Sequence, residues 1–355
     1  MWTEQAQEII MDMEEVDERY RPTHFWQFGA STLQAELELH GIENFRSLKG
    51  ALSFFVPTYR FHGWATQEDK YQSMLNCTQK QLEGDHKACL SMQDFLSGEM
   101  HARNDYRVFT ASNIDKAPFV ESFSESQVGK PKGQFEFEGK YYSRSSLNYL
   151  LGLNFLKKHV TEVPIRTVLE IGGGFGSLGE ILLKDQRNKT FYMNVDISPT
   201  CLFSTYYLQQ NFGKERIADY KATKKLPDLS LNTLSELYDG AVLCPWQLPE
   251  VSGELDLFVN FISFQEMEPD IVANYLEHVA RLECKYVLLR NLKEGKQLAT
   301  EGSHVGVKQP IKGEDYDKFL PDYELVATNV HPFGFETIDG FNSELRLYKK
   351  RYPIM

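Results

Sequence analysis

The run from Ile165 to Glu180, IRTVLEIGGGFGSLGE, limits most sharply what this chain can fold into. Aliphatic and β-branched residues stop at Ile171, glycines crowd the next five positions, and an apolar pattern of helical spacing begins at Leu178. The run reads as a strand, a sharp turn and a helix. Glycine lets a backbone bend tightly and approach a ligand closely. The helix that follows offers unpaired N–H groups to an anion. The chain beyond it alternates. TFYMNVDI, GAVLC, LDLFVNFISF, KYVLLRN, YELVATNV and SELRLYKKR are strand-like, and SLGEILLKD, SPTCLFSTYYLQQNF and PDIVANYLEHVARL are helix-like between them. This alternation predicts an α/β fold, a doubly wound sheet of seven mostly parallel strands. No helix separates the last two strands, so they are expected to pair antiparallel.

Ligands of such sheets bind at the strands' carboxyl ends. Glu170, Gly172, Gly173, Gly174 and Gly176 cluster at the first end, and Asp196, followed by Ile197, ends the second strand. An acid placed like Asp196 can accept hydrogen bonds from the ribose hydroxyls of a nucleoside. Trp246, past the third strand, can stack on adenine or pack in the core. Asn260 leads from the fourth strand into SFQEMEP. Two registers are open. Counted from Gly172, the turn suits S-adenosylmethionine: the helix N-terminus meets the methionyl carboxylate, and Glu170 accepts from turn N–H groups or binds the ligand amine. Counted from Gly174, with Gly176 and Gly179, it satisfies the G-x-G-x-x-G fingerprint of an NAD(P)-dependent oxidoreductase. In that register two glycines interrupt the strand. A non-catalytic binding protein of the same fold is a third reading, against which the intact Glu170, Gly172, Gly174 and Asp196 argue.

Residues 1–144 read differently, as a mainly helical region placed before a 145–355 domain. TEQAQEIIMDMEEVDERY has helical spacing at Ile9, Ile10, Met13 and Val16. Thr32 to His40 is a second helix closed by Gly41, and residues 66–100 a third helical region broken near Gly84. GQFEFEGKYYS predicts a hairpin turning at Glu138-Gly139. Phe25, Trp26, Phe28, Phe54, Phe55, Tyr59, Phe61 and Trp64 gather here, which suits a lid or acceptor-binding region. The net charge of -12 repels polyanions, so nucleic acid is not expected as a partner. Cys77, Cys89, Cys201, Cys244 and Cys284 form no C-x-x-C pair, so neither a zinc site nor a disulfide framework is expected. The acidic start is not a secretory signal, and no apolar run reaches the ~18–20 residues of a membrane span. These features lead us to expect a cytoplasmic protein.

YRPTHFW, YYSRSSLNYLLGLNFLKKH, VLEIGGGFGSLGEIL, SFQEMEPDIVANYL and, more weakly, YVLLRNLKEGKQ make the chain resemble bacterial sugar O-methyltransferases of the class I S-adenosylmethionine-dependent superfamily. The resemblance extends over most of the chain. It implies a class I methyltransferase sheet, S-adenosylmethionine as cofactor, and a sugar, nucleotide-sugar or glycoside as acceptor. Where the family pattern reads S-F-G/x-E-M, Gln265 here precedes Glu266. A hydroxyl acceptor needs a general base or a metal ion. Glu266 is the first candidate for the base, with His24, His278, His304 and His331 as alternatives. Glu266 with Glu268 or Asp270 can instead hold Mg²⁺ through oxygen ligands. Arg144 can pair with the cofactor carboxylate through its fork of donors.

Overall fold

The computed structural model describes residues 2–61, 64–160, 164–300 and 306–352. Six helices come first: α1 (Trp2–Glu14), α2 (His24–His40), α3 (Lys49–Phe54), α4 (Glu68–Gln81), α5 (His86–Ser97) and α6 (Glu99–Ser112). The first stops short of Tyr20, because Glu14, Glu15, Asp17 and Glu18 would crowd negative charge at the negative end of the helix dipole. The second starts eight residues earlier than its apolar pattern suggests, at a Pro22-Thr23 entrance, and ends on Gly41 with φ 73°. The break near Gly84 is real, and Asp85 caps the helix after it by accepting from the Ala88 N–H at 3.0 Å. Both α3 and α6 escaped the sequence reading. A hairpin of β1 (Gln134–Phe137) and β2 (Lys140–Ser143) follows, with positive φ at Glu138 and Gly139 as its turn requires.

The rest builds the sheet. Helix α7 (Arg144–His159) starts from a capping box of Ser143 and Ser146. In chain order come β3 (Thr167–Ile171), α8 (Ser177–Lys184), β4 (Phe191–Val195), α9 (Thr200–Phe212), β5 (Ile217–Ala218), α10 (Tyr220–Thr223), β6 (Leu229–Ser230) and α11 (Leu231–Leu237). Then follow β7 (Gly240–Leu243), β8 (Val251–Ser252), β9 (Leu257–Phe261), α12 (Pro269–Arg281), β10 (Tyr286–Leu292), α13 (Tyr316–Phe319), β11 (Tyr323–Asn329), β12 (Phe335–Glu336) and β13 (Asn342–Lys350). The strand order is β11-β13-β10-β9-β3-β4-β7-β5, with β12 beside β13. Strands β10, β9, β3, β4, β7 and β5 run parallel, and β13 is antiparallel to both its long neighbours. This is a mostly parallel mixed sheet of class I methyltransferase type, joined to a helical N-terminal region. The expected antiparallel pairing of the last two long strands is present, and β13 also wedges itself between β11 and β10.

Side chains alternate across the sheet as the strand period demands. Val168, Leu257, Val259 and Phe261 face one core, shared with α7, α8 and α9, while Leu169, Ile171 and Phe258 face the other, under α12 and α13. The N-terminal helices join the first core through Ala6, Ile9, Leu33, Leu37 and Phe45. Phe45 stacks on Phe203 of α9 at 5.3 Å. Beside it the fully buried Arg46 pairs with Glu125 at 2.8 Å. Glu180 of α8, also buried, accepts from the Tyr207 hydroxyl at 2.6 Å and the Ser126 N–H at 2.9 Å. Among the described residues no helix is long and apolar enough to cross a membrane.

Candidate functional site

Strand β3 ends at Ile171, directly before the glycines. Gly172 and Gly174 adopt φ of 70° and 60°. A Cβ at Gly172 would fall 2.1 Å from Ser263 Oγ, and one at Gly173 would fall 2.5 Å from Glu170 Oε2. The turn is thus glycine-dependent for shape and for closeness to its neighbours. The dinucleotide register would begin its turn at Gly174, but the chain has already left the strand two residues earlier.

The turn's N–H groups find partners across β4. Gly173 donates to Asn194 Oδ1 at 3.2 Å, and Gly174 to Asp196 Oδ2 at 2.9 Å. The other Asp196 oxygen accepts from the Ile197 N–H at 2.8 Å. Glu170 does not receive turn N–H groups. It is fully buried behind the turn, where Oε2 accepts from the Tyr192 hydroxyl at 2.5 Å. Burial pushes the Glu170 carboxyl up to about 7, against the nearby Tyr149 and Tyr192 hydroxyls that draw it down. Burial likewise pushes Asp196 up to about 8, against its two backbone donors and with the Glu170 charge adding to the rise.

A cavity of about 220 Å³ opens above the carboxyl ends of β3, β4 and β9, where the strand order reverses. Gly172, Gly173, Gly174, Asp196 and Ile197 form one wall. Ser263, Glu266, Met267, Ile271 and Tyr275 form a second, and Ser145, Asn148 and Tyr149 of α7 a third. Arg21, Thr23, Trp26 and the Leu52–Phe55 run close it from the N-terminal region. The N-terminal aromatics therefore do contribute to a pocket, through Trp26, Phe54 and Phe55.

Besides Glu170, four expected residues stand apart from the cavity wall. Gly176 is the N-cap of α8, and its position touches Leu208 instead. Asn260 is fully buried and ties strands together, donating to the Ile171 carbonyl at 2.9 Å and to Ser263 Oγ at 2.6 Å. Trp246 meets Tyr220 edge-on and donates to its hydroxyl at 3.3 Å. Arg144 points away: it donates to the Thr58 carbonyl at 3.0 Å and lies over the Tyr59 and Phe335 rings.

Glu266 does line the cavity, but with other neighbours than its sequence suggests. Lys296 pairs with Oε1 at 2.6 Å, and the Trp26 indole donates to Oε2 at 3.1 Å. Lys296 also lies 4.0 Å from the Phe25 ring centre. Glu268 instead accepts from the backbone N–H groups of Lys308 and Gln309, and Asp270 is exposed. Among the described residues no cluster of three or more His, Cys, Asp or Glu gathers. His278 bonds the Tyr20 hydroxyl at 2.8 Å away from the cavity, and His331 is exposed. His304 lies outside the described residues, as does the side chain of His24. Sequence reasoning missed Arg21, Asn148 and Lys296. All three sit inside the motif runs, Arg21 in YRPTHFW, Asn148 in YYSRSSLNYLLGLNFLKKH and Lys296 in YVLLRNLKEGKQ, but a run of residues does not say which of them face a cavity.

No protein-family model matches the chain, and no curated protein does. Solved structures do. The chain is similar to the small RNA methyltransferase HEN1, at 16% identity over 57% of this chain and 25% of that one, with a TM-score of 0.37. It thus spans a quarter of that protein's length. It is similar to the magnesium protoporphyrin IX methyltransferase of Synechocystis PCC 6803 with bound SAM, at 15% identity over 58% and 79% of the two chains, TM-score 0.35. A third likeness is to the N-terminal domain of EvdMO1, in the presence of SAH and D-fucose, at 11% identity over 71% and 97%, TM-score 0.36. All three are distant, and the fold assignment rests on the strand order itself.

Proposed function

We propose that the chain is an S-adenosylmethionine-dependent O-methyltransferase acting on a sugar, nucleotide-sugar or glycoside hydroxyl. The observation that carries this reading is the convergence of the glycine turn, the Asp196 carboxylate and Glu266 on one cavity at the sheet's switch point. S-adenosylmethionine supplies, when bound, an electrophilic methyl group on a sulfonium. Asp196 accepts the ribose hydroxyls, exchanging backbone donors for them. A cationic cofactor in the cavity draws the raised Glu170 carboxyl back towards its charged form, and that charge in turn favours the cationic part of the cofactor. Glu266 accepts the acceptor hydroxyl's hydrogen bond at Oε2, in place of the Trp26 indole, and takes its proton as the methyl arrives. The sugar class rests on the motif runs of the sequence, and Trp26 offers a flat apolar face beside Glu266 to such a ring.

Calorimetry with S-adenosylmethionine, S-adenosylhomocysteine and NAD(P)H tests the cofactor. Binding of NAD(P)H in place of the other two would overturn the reading. Mass spectrometry after incubation with nucleotide-sugars and glycosides then tests the acceptor. Cofactor binding with no methylated product across aromatic and aliphatic hydroxyl compounds as well would favour the non-catalytic alternative.

A further inference from the structure

Behind the α7 wall lies a cation that, among the described residues, no carboxylate meets. Arg290, in the middle of β10, is fully buried. Its Nη2 donates to the Phe333 carbonyl at 2.6 Å, its Nη1 donates to Asn148 Oδ1, and its Nε has no partner among the described residues. The guanidinium also lies 5.1 Å from the centre of the Phe261 ring, another part of the cavity wall. Among the described residues it has no ion pair. The carboxyl of this neighbourhood, Asp105, already accepts from the Tyr59 hydroxyl at 2.6 Å, and burial pushes its pKa up. Arg144 brings a second guanidinium to the same surroundings. Two permanent cations thus share one carboxyl whose charge is disfavoured. Burial draws Arg290 down only to about 10, so it stays charged at neutral pH.

The guanidinium fixes Asn148. Arginine only donates, so the amide atom that faces it is the oxygen, and Nδ2 is left as a donor. Asn148 lines the cavity with its α7 neighbours Ser145 and Tyr149, as Gly172–Gly174 do. A donor backed by an unbalanced positive field suits an anionic oxygen pair.

We propose that Asn148 Nδ2, oriented by Arg290, seats the methionyl carboxylate of the cofactor, the role that the sequence assigns to Arg144 one helical turn earlier. This rests on the cofactor reading given above. Asn148 is then a binding residue and Arg290 a positioning residue.

The test compares two probes in calorimetry. S-adenosylhomocysteine carries the carboxylate, and 5′-methylthioadenosine has the same nucleoside and thioether without it. Asn148→Ala and Asn148→Asp are expected to weaken S-adenosylhomocysteine binding roughly ten- to hundred-fold, the range of a charge-assisted hydrogen bond. Binding of 5′-methylthioadenosine is expected to stay unchanged, which also reports an intact fold. Arg290→Lys should retain part of the discrimination between the probes, and Arg290→Met should lose it. Equal losses for both probes, or no loss for either, would overturn the proposal. So would wild-type protein that binds the two equally well. Wild-type protein that binds neither probe would overturn the cofactor reading itself.

Discussion

The two main walls of the cavity are built on different principles. The glycine-turn wall uses neighbours in sequence: Gly172 to Gly174 and Asp196 with Ile197, joined by backbone N–H bonds, and among the described residues no cation pairs with Asp196. The Glu266 wall is assembled from afar. Its carboxylate is clasped by Trp26 of α2 and by Lys296 beyond β10. The first wall leaves buried acid with raised proton affinity, whereas the second neutralises its acid by an ion pair. In the proposed function a cationic cofactor would draw the former acids back to their charged form, and the acceptor hydroxyl would replace the Trp26 donor on the latter.

Changes on the Glu266 wall should strike turnover, and changes on the turn wall should strike affinity. Glu266→Gln is expected to lower kcat roughly 10²–10⁴-fold, the range of general-base catalysis, while calorimetric affinity for S-adenosylmethionine stays the same. Near wild-type turnover with the true acceptor would remove Glu266 from the chemistry and break the contrast. The roof that brings Trp26 to Glu266 depends on how the N-terminal region is anchored. Arg46→Ala leaves Glu125 buried without its partner and should cost about 3–5 kcal/mol in urea unfolding. A chain beginning at Ser145 would lack this anchor and the roof altogether, and should bind S-adenosylmethionine poorly in the same calorimetric assay.

Asp196→Ala is expected to weaken S-adenosylmethionine binding by about 1.5–3 kcal/mol through loss of charge-assisted ribose contacts. Unchanged affinity would separate Asp196 from the ligand. The same residue gives the turn wall a pH signature. Below about pH 4 its carboxyl is protonated in the folded and unfolded chain alike. As the pH rises towards about 8, the unfolded chain loses this proton and the folded one keeps it. The ligand-free protein should therefore lose stability between pH 5 and 8, read as a falling melting temperature. Glu170, raised to about 7, acts in the same direction. Cofactor affinity should rise over the upper part of that window, since ribose hydroxyls favour the ionised Asp196. A flat affinity from pH 6 to 9 would mean that Asp196 is already ionised. The smallest effect is expected at Trp246. It sits against Tyr220 off the cavity wall, so Trp246→Phe should leave cofactor affinity unchanged and alter only the melting temperature.

What could be read in the sequence follows the same division. The β3 turn, Asp196 and the strand–helix alternation are local patterns, and period and glycine punctuation reveal them. The partners of Glu266 are not local. Nothing within several residues of SFQEM announces Lys296 or Trp26, and the nearby acids Glu268 and Asp270 point to a different environment from the one found. Arg144 shows a second limit. It heads α7, where its side chain lies off the cavity wall while Asn148, four residues on, lines it. Helices α3 and α6 went unseen because each is short or amphipathic only against a neighbour that sequence does not name.

Strand β13 imposes an order on how the molecule comes into being. It follows both β10 and β11 in the chain yet lies between them. As the polypeptide emerges, β10 must wait with one side of its backbone open, and β11 has no place in the sheet at all. The nascent chain carries an unsealed edge next to its largest parallel assembly until residues 342–350 arrive. A chain lacking β13 would offer the open backbone of β10 to a strand from some other chain.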